Sequence, residues 1–110
     1  MIDRIIQITC NNWHVTYEDV LSCKRNRPLP FVRMMIARFL RRNTSLTITE
    51  IGNILHKNHT SILYYLRLYD TEYNLNKEFH TIAEKVKSDY QREMAYLTLE
   101  LEEEFNEIRR

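Results

Sequence analysis

A chain of 110 residues with one glycine, Gly52, and two prolines, Pro28 and Pro30, holds almost none of the residues that tight strand-to-strand turns require. A multi-stranded sheet is a poor solution for such a sequence, and helices are the default. The 44% hydrophobic content supplies one modest core, and the length leaves no room for a second domain. Cys10 and Cys23 are too few for a disulfide framework, and their spacing to His14, His56 and His59 matches no zinc pattern. Both are expected to be reduced packing residues, with no metal and no cofactor. The opening MIDRIIQITCNNW carries charge at once and lacks a continuous apolar run, so neither a signal peptide nor a membrane span is expected and a cytoplasmic protein follows.

The net charge of +1 conceals an uneven distribution. Residues 1–70 hold ten Lys/Arg against five Asp/Glu, a balance of +5, whereas residues 71–110 hold six against ten, a balance of −4. The asymmetry sharpens between Cys23 and Arg42, where Lys24, Arg25, Arg27, Arg33, Arg38, Arg41 and Arg42 occur with no acid among them. Uncompensated cations at that density point to a polyanionic partner. A solvated basic face with no partner is the alternative, although such faces usually intersperse acids among the bases.

Ile2, Ile5, Ile6, Ile8 and Trp13 recur at helical spacing and predict a first helix ending near Asn11 to His14. Thr16 is an N-cap for a short second helix, Tyr17 to Ser22, with Asp19 near its positive end. Lys24 to Pro30 cannot continue that helix, because residues preceding proline leave helical geometry; a basic loop is expected. From Phe31 the apolar spacing resumes through Val32, Met35, Ile36, Phe39 and Leu40, predicting a third, amphipathic and cationic helix.

Thr47-Ile48-Thr49-Glu50 is a capping box that opens a fourth helix, short because His56-Lys57-Asn58 breaks the apolar rhythm. Gly52 inside it costs about 1 kcal/mol relative to alanine. Close approach of a crossing helix, as at the corner of a helix-turn-helix, would account for it. Asn58 then caps a fifth helix from His59 to Tyr69 or slightly beyond, with Ile62, Leu63, Leu66 and Tyr69 as its buried stripe. The helix-turn-helix thus spans roughly Thr47 to Asp70. After an irregular stretch near Thr71 to Asn76, apolar residues from Phe79 through Tyr90, Leu97, Leu101, Phe105 and Ile108 predict one long helix, residues 77–110, following a helix-turn-helix domain at 1–76. The distal stripe of this helix, among five glutamates, wants a partner surface: a homodimer or another protein.

In a helix-turn-helix the second helix offers its first turn to base edges in the major groove while preceding elements hold phosphates. Here that turn is Asn58-His59-Thr60-Ser61, preceded by Lys57. Short polar side chains at a helix N-terminus can read bases or bind a phosphate, and they are also ordinary helix-start chemistry. Lys24, Arg25 and Arg27, on a loop, can enter a narrow minor groove, while Arg33, Arg41 and Arg42 are placed for phosphates. No carboxylate lies at helical spacing from His59, so a hydrolase is not expected.

Ile51-Gly52 followed by Asn58-His59-Thr60-Ser61-Ile62-Leu63 resembles the C-terminal DNA-binding domain of the bacterial replication initiator DnaA, where Ile-Gly precedes Arg-Asp-His-Thr-Thr-Val-Leu. Ile2-Asp3, Asp19-Val20-Leu21-Ser22 and Arg33 fall in register, so the resemblance covers about residues 1–90 with one short gap before Lys57. It implies an all-α, five- to six-helix fold of the DnaA domain IV or TrpR-like kind with an extended C-terminal helix. It implies that Arg25 reaches the minor groove, that Arg33 touches the backbone or a base edge, and that Asn58, His59 and Thr60 read bases. Lys57, Arg41, Thr44, Ser45 and Ser61 would assist. The chain departs from the family at Asn58, where the family has Asp; at Met34, where it has Gln; in lacking its paired glycines; and in carrying Tyr64 and Tyr65. An amide in place of an acid removes the acceptor for a cytosine amino group, so a different target sequence is expected. With one glycine the chain holds no phosphate-cradling loop and no ATPase. The expected function is sequence-specific binding of double-stranded DNA, by a small replication or transcription regulator that is not an enzyme. The alternative is a protein-interaction module that works through the acidic C-terminal helix, its DNA face idle.

Overall fold

The computed structural model describes residues 1–109; the side chains of Phe105 and Ile108, which the sequence assigns to the distal stripe, lie outside the described residues. Six helices follow one another: α1 (Ile2–Trp13), α2 (Tyr17–Leu21), α3 (Leu29–Asn43), α4 (Ile48–Leu55), α5 (His59–Leu75) and α6 (Lys77–Arg109). No strand occurs among the described residues.

Local chemistry sets most of the boundaries. The Thr16 hydroxyl accepts from the Asp19 amide at 3.1 Å and starts α2. The capping box at Thr47 is reciprocal, with the Glu50 amide donating to Thr47 Oγ1 and the Thr47 amide donating to Glu50 Oε1, both at 3.1 Å. Thr47→Ala should destabilise the protein by about 1 kcal/mol in urea unfolding. The Thr47 amide and then its hydroxyl hold Glu50 below the ordinary carboxylate range. A depressed carboxylate stabilises the fold above its unfolded pKa and loses that contribution as pH falls through the folded value. The stability gap between the native chain and Glu50→Gln should therefore be complete at neutral pH and close as pH drops below about 4.3. A gap constant down to pH 3 in urea titrations would remove the box from the account of α4.

Two boundaries differ from the sequence reading. Helix α3 begins at Leu29 rather than Phe31, because Pro30 sits in its first turn, where the amide it lacks has no helical partner in any case. Helix α5 continues to Leu75, so the expected irregular stretch from Thr71 is helical. Tertiary partners hold it: Asp70 is ion-paired with Arg38 of α3, and Tyr73 donates its hydroxyl to Glu84 and packs on the His80 ring of α6, centroids 4.1 Å apart. Asn76 alone makes the break. Its amide donates to Glu72 O at 2.8 Å to close α5, and its side-chain oxygen accepts from the Phe79 amide at 3.1 Å near the start of α6.

Helix α3 is the centre of the core, with Val32, Met35, Ile36, Ala37 and Leu40 wholly buried. Helix α1 covers it with Ile5, Ile8 and Trp13, the indole of Trp13 donating to Met35 Sδ at 3.3 Å. Phe31, Phe79 and Trp13 form an aromatic cluster with centroids about 6 Å apart, joined by Tyr69 at 5.2 Å from Phe79. Phe79, Ala83 and Val86 tie the first half of α6 into this core. Cys10 is buried there, its thiol pushed up to about 11 by desolvation, whereas Cys23 is exposed and is not the packing residue that the sequence suggested. No described helix is long and apolar enough to cross a membrane.

Candidate nucleic-acid interface

Helices α4 and α5 are joined by only three residues, and the geometry of that corner is what exposes the tip of α5. Helix α4 ends on His56 in the left-handed conformation (φ 56°), which lets the His56 amide reach Asn53 O and the Lys57 amide reach Gly52 O at 2.9 Å. The carbonyl of Lys57 is thereby folded over Gly52. A Cβ at that glycine would stand 2.5 Å from Lys57 O and 3.6 Å from Ile62 Cγ1. The close neighbour that the sequence required is thus the backbone of the turn itself, with α5 just behind it.

Asn58 caps α5, its Oδ1 accepting from the Ser61 amide at 2.8 Å. This fixes its carboxamide and leaves Nδ2 as the free donor, so a two-bond pairing with adenine, which uses both the oxygen and the nitrogen, competes with the cap. His59 and Thr60 are fully outward, while Lys57 and Ser61 are half-buried. One turn further along, Leu63 is 42% and Tyr64 54% exposed. The sequence reading had Leu63 in the buried stripe. The stripe instead runs through Ile62, Tyr65, Tyr69 and Tyr73, with Leu66 packed beside it as expected, a three-and-four spacing that was present in the sequence and leaves Leu63 outside.

The cations of Cys23 to Arg42 are divided by the fold. Arg33 is 2% exposed, and its guanidinium donates to the carbonyls of Val20 at 2.8 Å, Ser22 at 2.9 Å and Asp19 at 3.3 Å. These carbonyls lie at the C-terminal end of α2, the negative end of its dipole, and that of Asp19 also accepts from the Ser22 amide and hydroxyl. The expected contact of Arg33 with phosphate or base is corrected here: a side chain sealed beneath α2 has no surface to offer. Arg38 pairs with Asp70 and lies over the Tyr69 ring at 4.8 Å. Nor are all the cations uncompensated, since Lys24 Nζ stands 3.4 Å from Asp19 Oδ1. Arg41 donates to Leu46 O at 3.0 Å, and the Thr44 hydroxyl donates to Leu40 O at 2.6 Å while accepting from the Leu46 amide, so both shape the α3–α4 connection. Met34 is buried in the core.

What remains on the surface is the loop, the tip, and Arg41 and Arg42 at the end of α3. Lys24, Arg25 and Arg27 are exposed, as is Ser45, and the Arg27 guanidinium rests 5.2 Å over the Phe31 ring. Arg25 has no ion pair among the described residues. Burial pushes the Tyr65 phenol up, and the charges of Arg33 and Arg25 oppose that shift, so the loop lies within electrostatic reach of the middle of α5. No cluster of three or more His, Cys, Asp or Glu among the described residues is arranged to hold a metal.

A short α4, a three-residue corner set by one glycine, and an outward α5 tip define a helix-turn-helix protein. The family described as "Bacterial dnaA protein helix-turn-helix" matches residues 2–68, and the chain belongs to that family. It is 26% identical over 87 residues to the chromosomal replication initiator protein DnaA of Crocosphaera subtropica, covering 74% of this chain and 19% of that protein. It is 33% identical over 63 residues to the protein of the same name from Gloeobacter violaceus, covering 56% of this chain and 14% of that one. The chain thus spans less than a fifth of the length of either relative.

Proposed function

We propose that this chain binds double-stranded DNA sequence-specifically, with the α5 tip in the major groove and the Lys24–Arg27 loop at the adjacent minor groove, as a non-catalytic regulator of replication or transcription. The observation that carries this reading is the outward first turn of α5, His59 and Thr60, together with an exposed basic loop whose Arg25 has no ion pair among the described residues and whose charge acts on Tyr65 of the same helix. Membership of the DnaA helix-turn-helix family supports DNA binding, and the relatives' printed name directs the proposal to replication. Thr60 and His59 read bases, Asn58 contributes its free Nδ2, and Lys57, Ser61 and Ser45 add polar contacts around them. The loop cations neutralise phosphates, which makes affinity fall steeply with salt.

Selection of bound sequences from a random duplex pool, followed by gel shifts across a salt series, tests this directly. Thr60→Ala should lose about 1–3 kcal/mol and relax specificity at one position, whereas Lys24→Ala should weaken all sequences alike and lower the salt slope by about 1. A chain that enriches no sequence and binds no duplex at low salt would end the proposal.

A further inference from the structure

The face of α6 that packs on the core does not stop where the core stops. Phe79, Ala83 and Val86 are buried on it, Tyr90 and Met94 are half-buried, and Leu97 and Leu101 continue the same three-and-four spacing at 46% and 65% exposure. Glu93 is ion-paired with Arg4 at the start of α1, and the helix then runs on to Arg109, about 24 Å further at 1.5 Å per residue. Nothing among the described residues covers Leu97 or Leu101. Tyr96 and Leu97, with Arg4, Arg92 and Glu93, line an apolar crevice of about 520 Å³ where the exposed stripe meets the body of the protein.

Charge decides what can lie there. From Glu93 to Glu107 the helix carries Glu93, Glu100, Glu102, Glu103, Glu104 and Glu107 and no lysine or arginine. A second copy laid along the stripe would set six carboxylates against six, and DNA or an anionic membrane would be repelled in the same way. A cationic helix with one apolar face meets both demands, its leucine-type side chains entering the stripe and its lysines or arginines reaching the flanking glutamates.

We propose that the distal half of α6, centred on Leu97 and Leu101, is a docking surface for a basic amphipathic helix of a partner protein. The surface is independent of the α5 tip, so its fate is separable from that of the DNA-binding proposal. The probe is a dye-labelled peptide of about 18 residues, five helical turns, built from leucine and lysine at amphipathic spacing, titrated against the full chain by fluorescence anisotropy. A peptide of identical composition with its leucines spread around the helix is the control. The ordered peptide should bind at least about tenfold more tightly than the scrambled one, and Leu97→Asp with Leu101→Asp should remove that preference. Replacing Glu100, Glu103, Glu104 and Glu107 by Gln should weaken binding about tenfold at low salt and flatten its salt dependence. Because the substituted side chains are exposed, circular dichroism and DNA gel shifts of these variants should match the native chain. Equal binding of both peptides would reduce the effect to bulk charge and overturn the proposal. So would a dimer in sedimentation equilibrium that Leu101→Asp dissociates, since a second copy would then be the occupant.

Discussion

Gly52→Ala is expected to destabilise the protein by about 3 kcal/mol and to unseat the α5 tip, an effect far above the usual benefit of replacing a helical glycine by alanine. A Cβ at this position would lie 2.5 Å from the Lys57 carbonyl oxygen. That oxygen is backbone, and it is held there because the Lys57 amide donates to Gly52 O. A flexible side chain could swing aside; a main-chain carbonyl in a three-residue corner cannot move without rotating the start of α5. Urea unfolding of the variant should show the loss, and amide exchange should rise first in residues 52–62. An alanine variant as stable as the native chain would mean that the corner relaxes freely, and the account of the tip geometry would fall with it.

Arg33→Met is the second large effect, expected at about 3 kcal/mol, because it strips the donors from the carbonyls of Val20 and Ser22 and one of the donors from that of Asp19. Arg33→Lys should recover only part of this, since an ammonium presents no planar fork to satisfy Asp19, Val20 and Ser22 together. The salt slope of DNA binding separates the two roles a cation at this position could have. A phosphate contact lowers that slope by about 1 when removed, whereas a buried brace leaves it unchanged at temperatures where the variant is folded. The unchanged slope is the expected result. A reduced slope with unchanged stability would return Arg33 to the surface role that its position in the sequence suggested.

The two residues show how differently legible this protein was. Gly52 could be recognised as meaningful from its place between a capping box and an Asn cap, because glycine inside a helix asks for a reason wherever it occurs. Arg33 could not be read correctly, since a lone arginine in an acid-free cationic run looks like every other member of that run until its neighbours in space are known. The same applies to Leu63, which hydropathy assigned to the interior and the turn of α5 puts outside. It applies in reverse to Thr71–Leu75, whose polar composition hid a helix held by Glu84 and His80 of α6 against Tyr73.

By itself the sequence determined the helix starts at Thr16, Thr47 and Asn58, the all-helical class, the position of the helix-turn-helix and the long last helix. Each rests on bonds or spacings three to four residues apart, which a linear string contains in full. Only the tertiary structure decided which cations face solvent, which side of α5 is bare, and where the stripe of α6 outruns its partners. Those outcomes depend on residues far apart in the chain, such as Arg33 with Val20, Arg38 with Asp70 and Arg4 with Glu93. Long-range packing, unlike capping, is set by which surfaces meet in the folded chain.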